Sequence, residues 1–150
     1  MKKILIASDH AGLPLKNHLI RELKTSAPEV EFVDLGTTDE KSVDYPDFSK
    51  KLCESLLKKQ GQMGVLICGS GQGMAMQANR FKGIRAALCW DTSSARLSRE
   101  HNDANVLCMG ARLIPFGTAV EIAKTWLNTA FSGGRHQGRV QAGGHGPAAA

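Results

Sequence analysis

With 150 residues, 42% of them hydrophobic, the chain has the length of one ordinary domain and enough apolar material for a core. Its apolar runs fall far short of the ~20 residues a transmembrane helix needs, so no membrane partner is expected. The net charge of +5 admits nucleic acid or a small anion, but 5% aromatic residues and the lack of a dense Lys/Arg run argue against nucleic acid.

The first apolar run, Ile4-Leu5-Ile6-Ala7, is broken by Ser8-Asp9-His10. It suits a strand and is too short for the apolar part of a secretory signal, which predicts a cytoplasmic location. Pro14 then precedes Leu15, Leu19, Ile20 and Leu23 at helical spacing. Residues 31–35 alternate as a second strand closing at Gly36. Pro46 opens a second helix in which Phe48, Leu52 and Leu56 recur every four residues, with a stop expected near Gly61. Residues 64–68 predict a third strand, followed by a glycine loop and a helix through Met74, Ala75 and Ala78. A fourth strand is expected at 84–88, a helix capped by Thr92 or Ser93 and running to His101, and a fifth strand at 105–109. Pro115 begins a long helix carrying Ala119, Ile122, Ala123, Trp126 and Leu127, and Arg135 and Arg139 suit a short final one. Residues 1–142 read as one domain, and 143–150, rich in glycine and alanine, as a disordered tail.

Five strands each followed by a helix require crossover connections. The expected fold is therefore α/β: a doubly wound, Rossmann-like three-layer sandwich whose five-stranded parallel sheet has the order 2-1-3-4-5 along the chain.

The loop Cys68-Gly69-Ser70-Gly71-Gln72-Gly73 follows a strand and opens a helix, where backbone N–H groups point at an anion. It lacks the spacing of a dinucleotide fingerprint, a nucleophile elbow or a Walker loop. A thiol at this point reads either as an inert core cysteine or as a base whose thiolate the helix N-terminus favours. Cys53, Cys89 and Cys108 sit in apolar patterns and form no C-x-x-C pair, so they read as buried free thiols. Asp9 and His10 end the first strand, and in the expected order the first and third strands flank the point where winding reverses, so both converge on Cys68. His101-Asn102 lies at the opposite edge of the sheet. His101 is either a helix C-cap or serves a crevice in another subunit. Arg112 follows the fifth strand, and Arg135 and Arg139, four apart, could grip one phosphate. Lys124, Arg135 and Arg139 follow the last acid, Glu121, so much of the surplus charge lies in this region.

The blocks Ser8-Asp9-His10-Ala11-Gly12, Asp44-Tyr45-Pro46, the glycine loop, Gly83-Ile84-Arg85-Ala86, His101-Asn102-Asp103-Ala104-Asn105-Val106-Leu107 and Gly133-Gly134-Arg135-His136 together resemble the ribose-5-phosphate isomerase type B family. The family also contains galactose-6-phosphate and allose-6-phosphate isomerases, so a hexose-phosphate isomerase stands as the alternative. The resemblance implies an aldose–ketose isomerase of the pentose phosphate pathway that needs no cofactor or metal. It further implies a homodimer with active sites shared between subunits, a dimer of dimers being left open. By resemblance Cys68 is the general base, Ser70 and the amides of Gly69, Gly71 and Gly73 hold the oxyanion, and His101 of the neighbouring subunit, beside Asn102, opens the sugar ring. Asp9 and Tyr45 would contact sugar hydroxyls, and His10, Arg112, Arg135 and Arg139 the phosphate. Many members have threonine where Ser70 stands. Another branch places a glutamate base further along the loop, where this chain has Gly73-Met74-Ala75.

Overall fold

The computed structural model describes residues 1–143, so the expected tail lies outside the described residues except for Gly143. Strands β1 (Lys2–Ser8), β2 (Val30–Asp34), β3 (Met63–Cys68), β4 (Ala86–Leu88) and β5 (Val106–Gly110) form one parallel sheet. They alternate with α1 (Leu13–Ser26), α2 (Tyr45–Leu57), α3 (Gln72–Ala78), α4 (Thr92–Glu100) and α5 (Phe116–Leu127), and α6 (Arg135–Ala142) closes the described chain. This is the expected three-layer α/β sandwich. Among the described residues no helix is long and apolar enough to cross a membrane.

Two-residue periodicity sorts the strand side chains onto the two faces. Ile4 and Ile6 of β1 share a core with Val65, Ile67, Leu107 and Met109 under α1, α5 and Ala95 of α4. Leu5 and Ala7 lie on the other face with Leu66, Cys68, Val106 and Cys108 beneath Leu52 and Leu56 of α2 and Met74 of α3.

The sheet order is β2-β1-β3-β5-β4, not the expected 2-1-3-4-5. Burial explains the exchange of the last two strands. Every residue of β5 is buried, as a strand paired on both sides and covered on both faces requires. The fourth strand has only three residues, all half-buried, and suits the edge. The expectation had equated chain order with spatial order.

Smaller departures also have local causes. The N-cap of α4 is Asp91, not Thr92 or Ser93: its carboxylate accepts the Ser94 N–H at 2.7 Å, and the Ser94 hydroxyl accepts the Asp91 N–H at 3.2 Å. The Ser94 N–H, and secondarily the Ser94 side chain, hold the Asp91 carboxyl below its usual range. The second helix ends at Leu57 rather than near Gly61, because Lys59 has turned to φ 61°.

One buried charge braces the β1 end of the sheet. Lys16 of α1 is fully buried, and its ammonium donates to both carboxylate oxygens of Asp34 at 2.6 and 2.7 Å. Asp34 also accepts the Gly36 N–H at 2.9 Å. Gly36 and Thr37 in turn exchange backbone bonds with Ser8, the residue before Asp9.

Candidate active site

The revised strand order builds the site. From the C-terminal end of β3 the chain crosses to α3 on one face, while from β1 and β5, its two neighbours, it crosses to α1 and α5 on the other. The end of β3 is therefore flanked by a crevice on each side. Asp9 enters from β1 and Arg112 from β5, with no strand intervening. The Ala111 and Arg112 amides donate to the carbonyls of Cys68 and Gly69 at 2.9 and 3.0 Å, which locks the two loops together.

Asp9, Tyr45, Cys68, Gly69, Ser70, Gly73, Arg112 and Leu113 line a cavity of about 350 Å³ at this point. Asp9 is buried, and its carboxylate accepts the Gly12 N–H at 3.0 Å, which fixes its orientation at the start of α1. His10 stands next to it. Its Nδ1 accepts the Val43 N–H at 3.1 Å, so the neutral ring carries its proton on Nε2. Ser70 Oγ accepts the Gln72 N–H at 3.3 Å, closing a turn that aims the loop at the cavity.

Cys68 ends β3, and its sulfur accepts the Gly71 N–H at 3.2 Å. That amide is turned inward because Gly71 adopts φ 78°, and a Cβ there would meet Leu88 at 2.6 Å and the Met109 backbone at 2.8 Å. The Gly71 N–H, expected among the oxyanion donors, is thus occupied in orienting the thiol. The other three cysteines lie away from the cavity. Burial pushes Cys53 up to about 12 and Cys89 up to about 11, and it raises Cys108 well above the usual thiol range, so all three favour the protonated form.

Tyr45 is the first residue of α2, and its ring lies over Gly73, where a Cβ would come within 2.6 Å of two ring carbons. Tyr45 is 39% exposed, so its ring has room to swing aside. Gly73→Ala is therefore expected to leave the melting temperature within a few degrees while raising KM about tenfold, because the displaced ring no longer lines the cavity. Paired thermal melts and steady-state kinetics check this.

The remaining expected site residues gather elsewhere. His101 is the C-cap of α4 and precedes β5, so it lies at the opposite edge of the sheet from Cys68. The five residues of β5 alone separate the two edges by ~16 Å. Asn102 and Arg139 line a second cavity of about 430 Å³ with Arg85 and Asn79. Arg135 and Arg139 lie on α6, as expected, and His136 between them stacks on His101. His136 has no role in the sequence-based assignment, although it closes one of the matching blocks. Arg85 and Arg99 both pair with Asp103, which fixes the turn carrying His101 and Asn102. Among the described residues no group of three or more His, Cys, Asp or Glu side chains is placed to hold a metal ion.

Comparison with known proteins bears on this arrangement. The family model described as Ribose/Galactose Isomerase matches residues 4–142. Ribose-5-phosphate isomerase B of Escherichia coli is 41% identical over 142 residues, covering 95% of this chain and 94% of its own. Among solved structures, ribose-5-phosphate isomerase B of Clostridium thermocellum superposes with a TM-score of 0.91 at 45% identity over 95% of each chain. The Thermotoga maritima ribose 5-phosphate isomerase gives 0.90 at 47% identity, over 94% of this chain and 96% of its own.

Proposed function

The chain belongs to the ribose/galactose isomerase family and is a sugar-phosphate isomerase, and from that premise we propose that it interconverts ribose 5-phosphate and ribulose 5-phosphate with Cys68 as the base. The observation that carries the proposal is the cavity at the end of β3, where one oriented thiol faces a carboxylate, a phenol, a hydroxyl and a guanidinium.

The chemistry runs on the open-chain aldose. The Cys68 thiolate takes the C2 proton, and the electron pair moves through C1 onto O1 to give an enediolate. The Ser70 hydroxyl and the Gly69 and Gly73 amides stabilise the charge on oxygen, and a proton passes from O2 to O1. Cys68 then returns its proton to C1 as C2 becomes the carbonyl. Asp9 and Tyr45 hold sugar hydroxyls. The phosphate, held by His10 and the arginines, supplies remote binding energy that presents C1 and C2 to the sulfur. In this reading the surplus positive charge serves one small anion.

The aldose arrives as a furanose ring, and opening it requires a proton for the ring oxygen and removal of the proton on O1. His101 is suited to that exchange but lies beyond reach of Cys68 in its own chain. We therefore infer a homodimer in which His101, Asn102, Arg135 and Arg139 of one subunit complete the Cys68 cavity of the other. The separation of the two groups within one chain supports this arrangement. The same reading takes residues 1–142 as the catalytic domain and the cytoplasm as its location.

Hexose phosphates differ by one carbon, which changes the required pocket length and leaves the proton transfer intact. Parallel measurement of kcat/KM on ribose 5-phosphate, allose 6-phosphate and galactose 6-phosphate, with and without chelator, decides the matter. The pentose is expected to exceed both hexoses by at least about tenfold, with no effect of chelator. A hexose preference would overturn the substrate assignment.

A further inference from the structure

The imidazole of His136 lies flat against that of His101, with ring centroids 4.2 Å apart and planes 17° apart. Backbone bonds hold both members. The His101 N–H donates to the Leu97 carbonyl at the end of α4, and the His136 N–H donates to Gly133 at the start of α6. Between them the Ser132 N–H donates to the Glu100 carbonyl at 3.0 Å, and Arg99 Nε donates to the Thr129 carbonyl at 2.9 Å. The segment leading into α6 is thereby tied to the end of α4, and the two rings are brought face to face.

A histidine that exchanges protons is commonly oriented by a carboxylate or carbonyl on its second ring nitrogen. Among the described residues neither of these imidazoles has a hydrogen-bond partner on its ring nitrogens. Glu100, on the same helix, is paired with Arg96, and Asp103 is engaged by Arg85 and Arg99. The stack is what remains to fix the plane of His101.

We propose that His136 is a positioning residue for His101: its ring clamps the His101 imidazole in the plane from which it exchanges protons with the sugar ring of a substrate bound by the partner subunit. The proposal rests on the ring-opening role assigned to His101 above. The charges around the pair suit it. Partial burial, His101, Arg135 and Arg139 all disfavour the charged form of His136, and Glu100 opposes them. These surroundings hold His136 below the usual imidazole range and so favour its neutral form in the stack.

The two substrates provide the test. Ribose 5-phosphate is a closed furanose that must be opened, whereas ribulose 5-phosphate has its O5 blocked by phosphate and cannot close a five-membered ring. Initial rates with each substrate are to be compared for the wild-type protein and the His101→Ala, His136→Ala and His136→Phe variants. Both rates are read at saturating substrate, since kcat/KM in the two directions is tied by the equilibrium constant: His136→Ala is expected to lower kcat for ribose 5-phosphate about tenfold, because bound furanose waits to be opened, and to affect kcat for ribulose 5-phosphate much less. His136→Phe keeps a flat ring in the stack and is expected to restore most of the loss. An unchanged aldose rate in His136→Ala, an equal fall with both substrates, or failure of His136→Phe to recover activity in a folded protein would each overturn the positioning role. The His101→Ala variant separates the two ideas. If it shows the asymmetry and His136→Ala does not, only the positioning role falls. If His101→Ala itself turns over ribose 5-phosphate normally, the ring-opening assignment falls, and the positioning role with it.

Discussion

Replacing Cys68 with alanine is expected to lower kcat about 10²–10⁴-fold, the usual range for loss of a positioned proton-transfer group, with phosphosugar affinity retained. Affinity should survive because His10 and the arginines assigned to the phosphate are untouched. Cys68→Ser should be almost as inactive, since a hydroxyl at the same position is far less acidic than a thiol. Cys68 is the cysteine that lines the cavity and carries the Gly71 N–H on its sulfur. By contrast, the burial that pushes Cys89 up to about 11 makes it useless as a base near neutral pH. Cys89→Ala therefore serves as the control and is expected to keep wild-type kcat. Steady-state rates with calorimetric titration of substrate check both halves, and wild-type turnover by Cys68→Ala would sink the assignment.

The second large effect comes from mixing two inactive proteins. Cys68→Ala lacks the base, and His101→Ala is expected to lose turnover of the furanose substrate because nothing opens the ring. If each site takes Cys68 from one subunit and His101 from the other, a hybrid dimer has one doubly defective site and one intact site. Random exchange of equal amounts makes about half of the dimers hybrid, so the mixture should regain about a quarter of wild-type activity on ribose 5-phosphate. The measurement is activity against time after mixing, with subunit exchange followed independently by mass spectrometry of differently tagged chains. Full exchange without recovered activity would mean that Cys68 and His101 do not serve one site across a dimer.

Much of the architecture could be read from local pattern. The apolar runs at Ile4 and Val65, the spacing of Leu15, Leu19 and Leu23, and the prolines at the starts of α1 and α2 each specify an element by short-range physics. Strand order is different in kind, because nothing within Ala86-Ala87-Leu88 states which neighbour it will find. The clue lay in a comparison between segments. Val106-Leu107-Cys108-Met109-Gly110 has no polar residue to face water, and the fourth strand has only three residues to pair.

The candidate site divides in the same way. Cys68, Ser70 and Gly73 were readable as a loop at a strand end, and Asp9 followed from the winding rule. Contact between Arg112 and the glycine loop depends on β5 lying next to β3, so it could not follow from the expected order. The stack of His136 on His101 joins residues 35 positions apart through a loop with no periodic signal. Only the folded path of residues 128–134 brings the two rings together.

The inverted placement of β4 and β5 also has a consequence in time. The edge strand is synthesised before the central strand to which it must pair, and β4 bonds to β5 alone. Until residues 106–110 insert beside β3, residues 86–88 have no ladder to join. Arg112, which forms one wall of the cavity, emerges only after that insertion. A nascent chain thus carries Asp9, Tyr45 and Cys68 well before it has a closed cleft around them, and the Cys68 thiol gains its full enclosure only as the sheet is completed.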